Sequence, residues 1–365
     1  MTDRENNFDT IRLLAATSVI FSHSFLLVDQ NELREPFVRL FGAHNIVGIY
    51  GVFVFFIISG YFVTQSYFRS ASPLEFLYKR ALRIFPALIV CALILAFIVA
   101  PIFSDRSLQE YYLNMGGYRY FFRTIFLFKA PWPDIEGVSI YNLPYGVMLN
   151  GSLWSIQSEV LCYLGLSLLG ILKLLDLRTS VALLVLGIIS NHFFDGGRFV
   201  FVLPAFAAGM CMFFICKTYP LSGVLAIIAL VGLIIGSASG NLRDVAFPIF
   251  GSYAIIYLGF SKTISLGRTA RFGDVSYGTY LYGWPVEQCV RAAFGDGAKW
   301  WMVFSLSLPV ALLLGFLSWH AIEKVALRYR SLPVWAQSAF RFAGLLGPVA
   351  SPVKNVYRGQ VQRLE

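Results

Sequence analysis

The amino-acid sequence predicts an all-α protein that crosses a lipid bilayer about ten times, with both termini in the cytoplasm. Of its 365 residues, 57% are hydrophobic and only 13% are charged, whereas soluble domains carry about 25% charged residues. Apolar segments recur along the whole chain, and the net charge of +9 is concentrated in the short connections between them. This distribution indicates orientation in a membrane. We therefore expect a lipid bilayer, and no nucleic acid, as a partner.

Individual spans follow from the length of each apolar segment. A transmembrane helix needs about 20 mostly apolar residues. Ten stretches meet or approach this requirement: 9–28, 46–66, 84–103, 154–174, 180–194, 197–216, 221–237, 244–261, 275–293 and 300–322. The fifth stretch is short, and it could instead pair with the sixth as a re-entrant hairpin.

The connections between these stretches predict the orientation. With the N-terminus inside, the cytoplasmic connections hold most of the basic residues, among them Arg69, Lys79, Arg80, Arg83, Lys262, Arg268 and Arg271. An even number of spans then satisfies the positive-inside rule. Residues 1–330 form one transmembrane domain, and residues 331–365 form a basic cytoplasmic tail. The long connection 104–153 lies outside, where we expect it to cover a cavity.

Arg12 and His23 are the unusual residues of the first stretch. They are eleven positions apart, about three helical turns, so they share one helix face and lie about 16 Å apart along the axis. Ionisable residues within a span usually face a polar cavity. The alternative is that Arg12 extends to the inner interface and His23 caps the outer one.

Glu159 is a further buried charge, about one turn inside the fourth stretch. This position places it near the predicted depth of His23 at the outer end of the membrane. A carboxylate can orient an imidazole and stabilise its protonated form. Glu159 and His23 therefore form a predicted acid–base pair, the alternative being a hydrogen bond that only fixes two helices.

Other side chains suggest ligand binding or packing. Arg80 and Arg83 lie on adjacent turns at the predicted start of the third span, where they suit phosphate groups, although positive-inside charge alone explains either.

Gly60 allows close helix approach, and Gly283 and Pro285 are expected to break the ninth span. The last span closes with three residues that we interpret as an interfacial anchor: His320, Glu323 and Lys324. The five cysteines show no CxxC spacing, which favours buried thiols over disulfides or a metal site.

Several motifs occur in one order between residues 8 and 330. They are Arg12 with His23, then "FFIISGYF", "YKRALRIFPAL", "GSLWSIQSEV", "VSYGTYLYGWPV" and "IEKVALR". With this ordered set the chain resembles acyltransferase family 3, the multi-spanning bacterial acyltransferases that O-acetylate surface polysaccharides, and among them those that modify exopolysaccharide. The resemblance implies a bacterial inner-membrane enzyme with an acyl-CoA donor, acetyl-CoA by default, and a polysaccharide or lipid-linked glycan acceptor.

The resemblance also assigns residues. His23 matches the essential histidine of the family, Arg12 its partner arginine, and Glu159 the acidic residue of the "SLW" motif. Many members carry His where this chain has Gly283, so that position receives no catalytic role.

A mechanistic hypothesis combines these residues. Coenzyme A phosphates would bind Arg80, Arg83 and Arg12, and His23 would act as general base on a sugar hydroxyl that attacks the thioester directly. Three side chains are candidates for stabilising the oxyanion: Trp154, Ser158 and Tyr282. The alternatives are a covalent acyl-enzyme, a proton-coupled secondary transporter, and a non-catalytic component of polysaccharide export.

Overall fold

The computed structural model describes residues 6–29, 34–42, 46–127, 135, 138, 148–194, 197–238, 242–267 and 269–330. The predicted tail 331–365 lies outside these residues. The helices are α1 (Phe8–Asp29), α2 (Pro36–Phe41), α3 (Val47–Arg69), α4 (Pro73–Ile94), α5 (Ala100–Ile102), α6 (Leu108–Leu113), α7 (Gly116–Ile125), α8 (Trp154–Ile171), α9 (Leu177–Phe193), α10 (Gly197–Thr218), α11 (Gly223–Ala238), α12 (Arg243–Ala246), α13 (Ser252–Phe260), α14 (Ser276–Phe294), α15 (Trp300–Ser318) and α16 (Lys324–Ala326). Over the described ranges no strand occurs, so the all-α prediction is confirmed.

Each of the ten predicted stretches coincides with a helix or a continuous helical run. Three π-helical turns join neighbouring helices end to end: Leu95–Val99, Phe247–Gly251 and Trp319–Glu323. Among the described residues, six helical runs are long and apolar enough to cross a bilayer: Phe8–Asp29, Val47–Arg69, Pro73–Ile102, Gly151–Ile171, Gly197–Thr218 and Trp300–Tyr329. Helices α9 and α11 are apolar but shorter. The protein is therefore a multi-pass membrane protein, and a total of ten spans stays a prediction.

Large apolar side chains on the surface agree with a bilayer. Helix α11 exposes Val224, Ile227 and Ile235, with 60% or more of each side chain accessible. Helices α9 and α15 expose Leu186 and Leu313 in the same way. Helices that are apolar on their outer faces as well as inside are typical of membrane spans.

Helix α4 begins much earlier than predicted. Ser72 is its N-cap and accepts a hydrogen bond from the backbone N–H of Glu75, with Pro73 at the first turn. This combination is a strong helix start. Arg80 and Arg83 consequently lie within α4, and their predicted place in a connection at the helix start is wrong.

Helices α1 and α3 pack antiparallel in a register fixed by two glycines. A Cβ added at Gly48 would lie 2.7 Å from the Cβ of Ser22, and one at Gly51 would lie 2.4 Å from the Oγ of Ser18. Because the two helices are antiparallel, residues early in α1 face residues late in α3, and the numbers of two facing residues add up to about 70, as for Ser22 and Gly48. The guanidinium of Arg12 follows this register, because it lies 5.5 Å from the ring centre of Phe62.

Helices α3 and α10 cross at a second close contact, which confirms the packing role predicted for Gly60. A Cβ at Gly60 would lie 2.1 Å from the carbonyl oxygen of Phe206, and one at Gly209 would lie 2.1 Å from that of Ile57. Only glycine at both positions allows the two backbones to approach so closely.

Gly209→Ala is expected to lower the free energy of unfolding by about 1–3 kcal/mol, because the added methyl meets backbone that cannot turn aside. Gly165→Ala is the matched control, since a Cβ at Gly165 in α8 meets no atom within 4 Å. Thermal unfolding midpoints in detergent measure both variants. Equal midpoints for the two would contradict the close crossing.

Helix α14 is continuous, so the predicted break at Gly283 and Pro285 is wrong. A proline within a helix leaves the carbonyl four residues earlier without its N–H partner. Here that carbonyl belongs to Leu281, and it accepts a hydrogen bond of 2.8 Å from the side-chain amide of Asn150. The replacement donor satisfies the carbonyl, and the helix continues through the proline.

Candidate active site

A cavity of about 110 Å³, here called the arginine cavity, lies beside the N-terminal half of α1. Its charged and polar lining comes from five helices: Arg12, Ser59, Arg80, Arg83, Ser155, Glu159, Tyr163, Ser276, Tyr277 and Tyr280. The structure thus brings together all three arginines predicted to bind a donor, together with Glu159. Three cations around one small cavity form a site suited to an anion.

Arg83 and Arg12 are tied to carboxylates beside this cavity. Arg83 contacts Asp274 with Nη2 at 2.6 Å and Glu323 with Nη1 at 2.7 Å. Arg12 lies 3.4 Å from the same oxygen of Asp274 and 3.6 Å from Asp9. These pairs join α1, α4, the start of α14 and the end of α15. Glu323 is therefore buried inside this network, and its predicted place at the interface is wrong.

Arg80 differs from its two neighbours. Its Nε is buried, and no described residue supplies that atom with a hydrogen-bond acceptor. The cavity that it lines also holds Glu159 and Tyr163, which hydrogen-bond to each other and to Ser59. Arg80 therefore has an Nε–H that can donate to a ligand in this cavity.

A larger cavity of about 740 Å³, here called the histidine cavity, lies beside the C-terminal half of α1. Ser22 and His23 of α1, Trp154 of α8, Arg198 of α10 and Asp244 of α12 line it. Arg12 and His23 thus face two different cavities along one helix, as their spacing predicts. Over the described ranges, no group of three His, Cys, Asp or Glu residues is placed to hold a metal ion.

His23 is paired with a carboxylate that sequence reasoning missed. Its Nδ1 lies 3.6 Å from Oε2 of Glu287, whose side chain is fully buried, and its ring packs edge-on against Trp284 at 4.7 Å. Within the described part of the chain, neither oxygen of Glu287 has a hydrogen-bond partner. A buried carboxyl group is stable when it is paired or protonated, and His23 is an ionisable side chain placed 3.6 Å from it.

The predicted pairing of Glu159 with His23 is wrong. Glu159 accepts hydrogen bonds from Tyr163 and from Ser59, the latter at 3.2 Å. By the α1–α3 register Ser59 lies at the level of Arg12, three turns away from His23. The reason is the start of α8, which begins inside the protein beside the buried Asn150 rather than at its outer surface.

The three predicted oxyanion donors separate in the structure. Trp154 lines the histidine cavity. Ser158 and Tyr282 are buried and line neither of these two cavities, so their contact with a ligand stays a prediction.

Glu35 is a second buried carboxylate close to the histidine cavity. It lies between α1 and α3, accepts hydrogen bonds from the hydroxyl of Ser22 and, at 2.8 Å, from the backbone N–H of Val47. The Ser22 oxygen in turn accepts from Gly48. Burial raises the pKa of Glu35, and these two hydrogen bonds lower it in part. The cluster fixes the start of α3 against the turn of α1 that carries His23.

The fold and these cavities define a multi-pass membrane protein with charged residues enclosed at two levels. Its sequence from residue 5 to residue 320 matches the model of the family described as "Acyltransferase domain". The chain belongs to this acyltransferase family, and it is an enzyme of that class. The enclosed histidine and arginines agree better with an enzyme than with the secondary transporter or the polysaccharide-export component considered above.

Two curated relatives span nearly the full length of the chain. The chain is 33% identical to the "O-acetyl transferase" of Shigella phage Sf6 over 335 residues, 88% of this chain and 96% of that protein. It is 28% identical to "Nodulation protein 10" of Rhizobium leguminosarum bv. viciae over 359 residues, 89% of this chain and 94% of that protein. No solved structure matches the chain.

Proposed function

We propose that the protein is an inner-membrane O-acetyltransferase that moves an acetyl group from cytoplasmic acetyl-CoA to a hydroxyl of an exported polysaccharide or its lipid-linked precursor. The observation that carries this proposal is the pair of cavities beside one helix, one lined by arginines and one by a histidine. The relative of phage Sf6 supports acetyl as the group transferred. The positive-inside distribution of basic residues supports a position of the arginine cavity toward the cytoplasm, where acetyl-CoA occurs.

Each cavity has one substrate in this proposal. Phosphate oxygens of the donor bind at the arginine cavity, where the Nε–H of Arg80 donates to them. Arg83 is held by Asp274 and Glu323 beside this cavity. The pantetheine arm reaches along α1 over the distance of about 16 Å between Arg12 and His23. The acceptor hydroxyl enters the histidine cavity, which is wide enough for a sugar at about 740 Å³.

Transfer is a single displacement. His23 takes the proton of the sugar hydroxyl as the hydroxyl oxygen bonds to the thioester carbonyl carbon. The carbon–sulfur bond then breaks, and the proton passes from His23 to the sulfur, which leaves as free coenzyme A. Glu287 orients the imidazole of His23 and balances its transient positive charge. The oxyanion that forms at the thioester carbonyl needs a hydrogen-bond donor, and the indole N–H of Trp154 is the candidate that lines this cavity.

Labelled acetyl-CoA tests this proposal. Inside-out membrane vesicles that contain the protein are given radiolabelled acetyl-CoA, and alkali-labile label in the glycan fraction is counted. We expect label in these vesicles, and none in right-side-out vesicles or in vesicles from a deletion strain. Absence of label from the inside-out vesicles, with the protein present at normal amounts, would contradict the proposal. A burst of label on the protein without acceptor would indicate the acyl-enzyme route instead.

Arg80→Gln is expected to raise the KM for acetyl-CoA at least about tenfold with a smaller effect on kcat, because a hydrogen bond to a charged group contributes about 1.5–3 kcal/mol. Arg178→Gln is the matched control, since Arg178 is exposed and lines neither cavity. Initial rates in the inside-out vesicles give both constants. An unchanged KM in Arg80→Gln would remove Arg80 from the donor site.

A further inference from the structure

Two side chains line both cavities. Val52 of α3 and Tyr280 of α14 are the residues that the arginine cavity and the histidine cavity have in common. Both are almost completely buried, with 5% and 6% of their surface exposed. The two cavities therefore adjoin at Val52 and Tyr280, and a group that moves from one cavity to the other at this point passes beside these two side chains.

Tyr280 is the fixed side of this passage. Its hydroxyl donates to the carbonyl of Ser152 and accepts from the hydroxyl of Ser155, both at 2.7 Å. Its ring also packs edge-on against Phe55, with the ring centres 5.7 Å apart. Turning the ring aside would break both hydrogen bonds in a buried place, where unmade hydrogen bonds are costly.

Val52 is the narrow side. Its β-branched side chain has one strongly preferred rotamer in a helix, and α3 cannot withdraw because Gly51 and Gly60 hold it against α1 and α10. The isopropyl group therefore occupies a set volume opposite the phenol. A longer acyl chain on the thioester would need that volume for its additional methylene groups.

We propose that Val52 and Tyr280 select the length of the acyl group, admitting acetyl and excluding propionyl and longer acyl groups. The inference rests on the proposed function, since it concerns the donor of that reaction. Acetyl, propionyl and butyryl thioesters form and break the same bonds, so the chemistry does not discriminate among them. The discrimination has to come from the wall of the passage.

The test compares the esters that the protein makes in cells. A deletion strain that expresses each variant is grown with propionate to raise its propionyl-CoA, and alkali-released acids of the surface glycan are measured by mass spectrometry. Wild type is expected to give acetate almost alone. Val52→Ala is expected to raise the ratio of propionate to acetate at least about tenfold, since one methylene in an apolar pocket is discriminated by 10-fold to 200-fold.

Tyr280→Phe provides an independent variant, because it keeps the ring and removes both hydrogen bonds that fix it. It is also expected to raise the ratio. Val303→Ala is the matched control, since Val303 is fully buried in α15 and lines neither cavity. Its ratio should equal that of wild type.

The outcomes separate the two proposals. Acetate esters in Val52→Ala and Tyr280→Phe at the wild-type ratio would overturn the selection role and leave the proposed function intact. A raised ratio in all three variants, Val303→Ala included, would also overturn it, because loose packing alone would then explain the change. Absence of glycan esters in the wild type, against the deletion strain, would overturn the proposed function and this inference with it.

Discussion

Replacement of His23 by alanine is expected to lower the kcat of acetyl transfer by about 100-fold to 10,000-fold, the range that a general acid–base group contributes. His23 lines the histidine cavity, where the acceptor hydroxyl would be activated. The KM for acetyl-CoA should stay near the wild-type value, because in the proposed function the donor phosphates would bind about 16 Å away in the arginine cavity. Initial rates of ester formation in inside-out vesicles measure both constants.

Glu287→Gln accompanies this prediction as the test of positioning. The amide keeps the shape of the side chain but removes the carboxyl group that lies 3.6 Å from His23. A group that orients the imidazole and balances its charge affects kcat and not KM. We therefore expect a loss of kcat that is smaller than that of His23→Ala, with KM unchanged.

His320→Ala is the matched control for the histidine. His320 is exposed, contacts the carbonyl of Phe316 and lies outside both cavities, so wild-type kinetics are expected. Normal transfer by His23→Ala at a normal protein level would exclude His23 as the base. A loss of protein in Glu287→Gln, with full activity per molecule, would make Glu287 a packing residue only.

Hydropathy predicted the helices well because a bilayer imposes length and apolarity on each span. Hydropathy did not predict the helix ends that are determined by capping side chains. Helix α4 begins at Pro73, although the sequence Ser72-Pro73-Leu74-Glu75 carries a recognisable cap. Helix α6 likewise starts with a capping box between Ser107 and Glu110 inside a connection that hydropathy alone leaves without structure.

The depth of α8 could not be predicted in this way. A connection rich in aromatic residues and glycine was expected to stay on the outer surface, and Glu159 was counted inward from there. Residues 149–153, directly before α8, instead lie inside the protein, where Asn150 satisfies the carbonyl that Pro285 leaves free. This contact joins residues 131 positions apart, and no local pattern encodes it.

Glu287 was within reach of sequence reasoning. It is an acidic residue in the middle of the predicted span 275–293, and such residues usually have a partner and a function. The spacing of Arg12 and His23 succeeded because both lie on one straight helix, whereas pairs on different helices depend on tertiary register.

Arg83→Ala is expected to lower the free energy of unfolding by about 3–5 kcal/mol, because it removes the cation that contacts the buried Glu323 and leaves Asp274 with only the more distant Arg12. Arg83 lies 2.6 Å from Asp274 and 2.7 Å from Glu323, and the side chains of these two acids are only 15% and 1% exposed. Thermal unfolding in detergent and the amount of protein in membranes measure the loss. Lys79→Ala is the matched control in the same helix.

Lys79 also forms an ion pair, with Glu75 at 2.7 Å, but one turn apart and partly exposed, so its loss should cost only about 0.3–0.5 kcal/mol. A triple variant decides why Arg83 matters. If unpaired carboxylates cause the loss, then Asp274→Asn and Glu323→Gln in the Arg83→Ala background should restore much of the stability. If Arg83 instead serves mainly to bind donor phosphate, Arg83→Ala alone should be stable and raise the KM for acetyl-CoA. Both carboxylates already contact the guanidinium of Arg83. We therefore expect the triple variant to regain stability, and we expect Arg80 to be the residue that binds the donor phosphate.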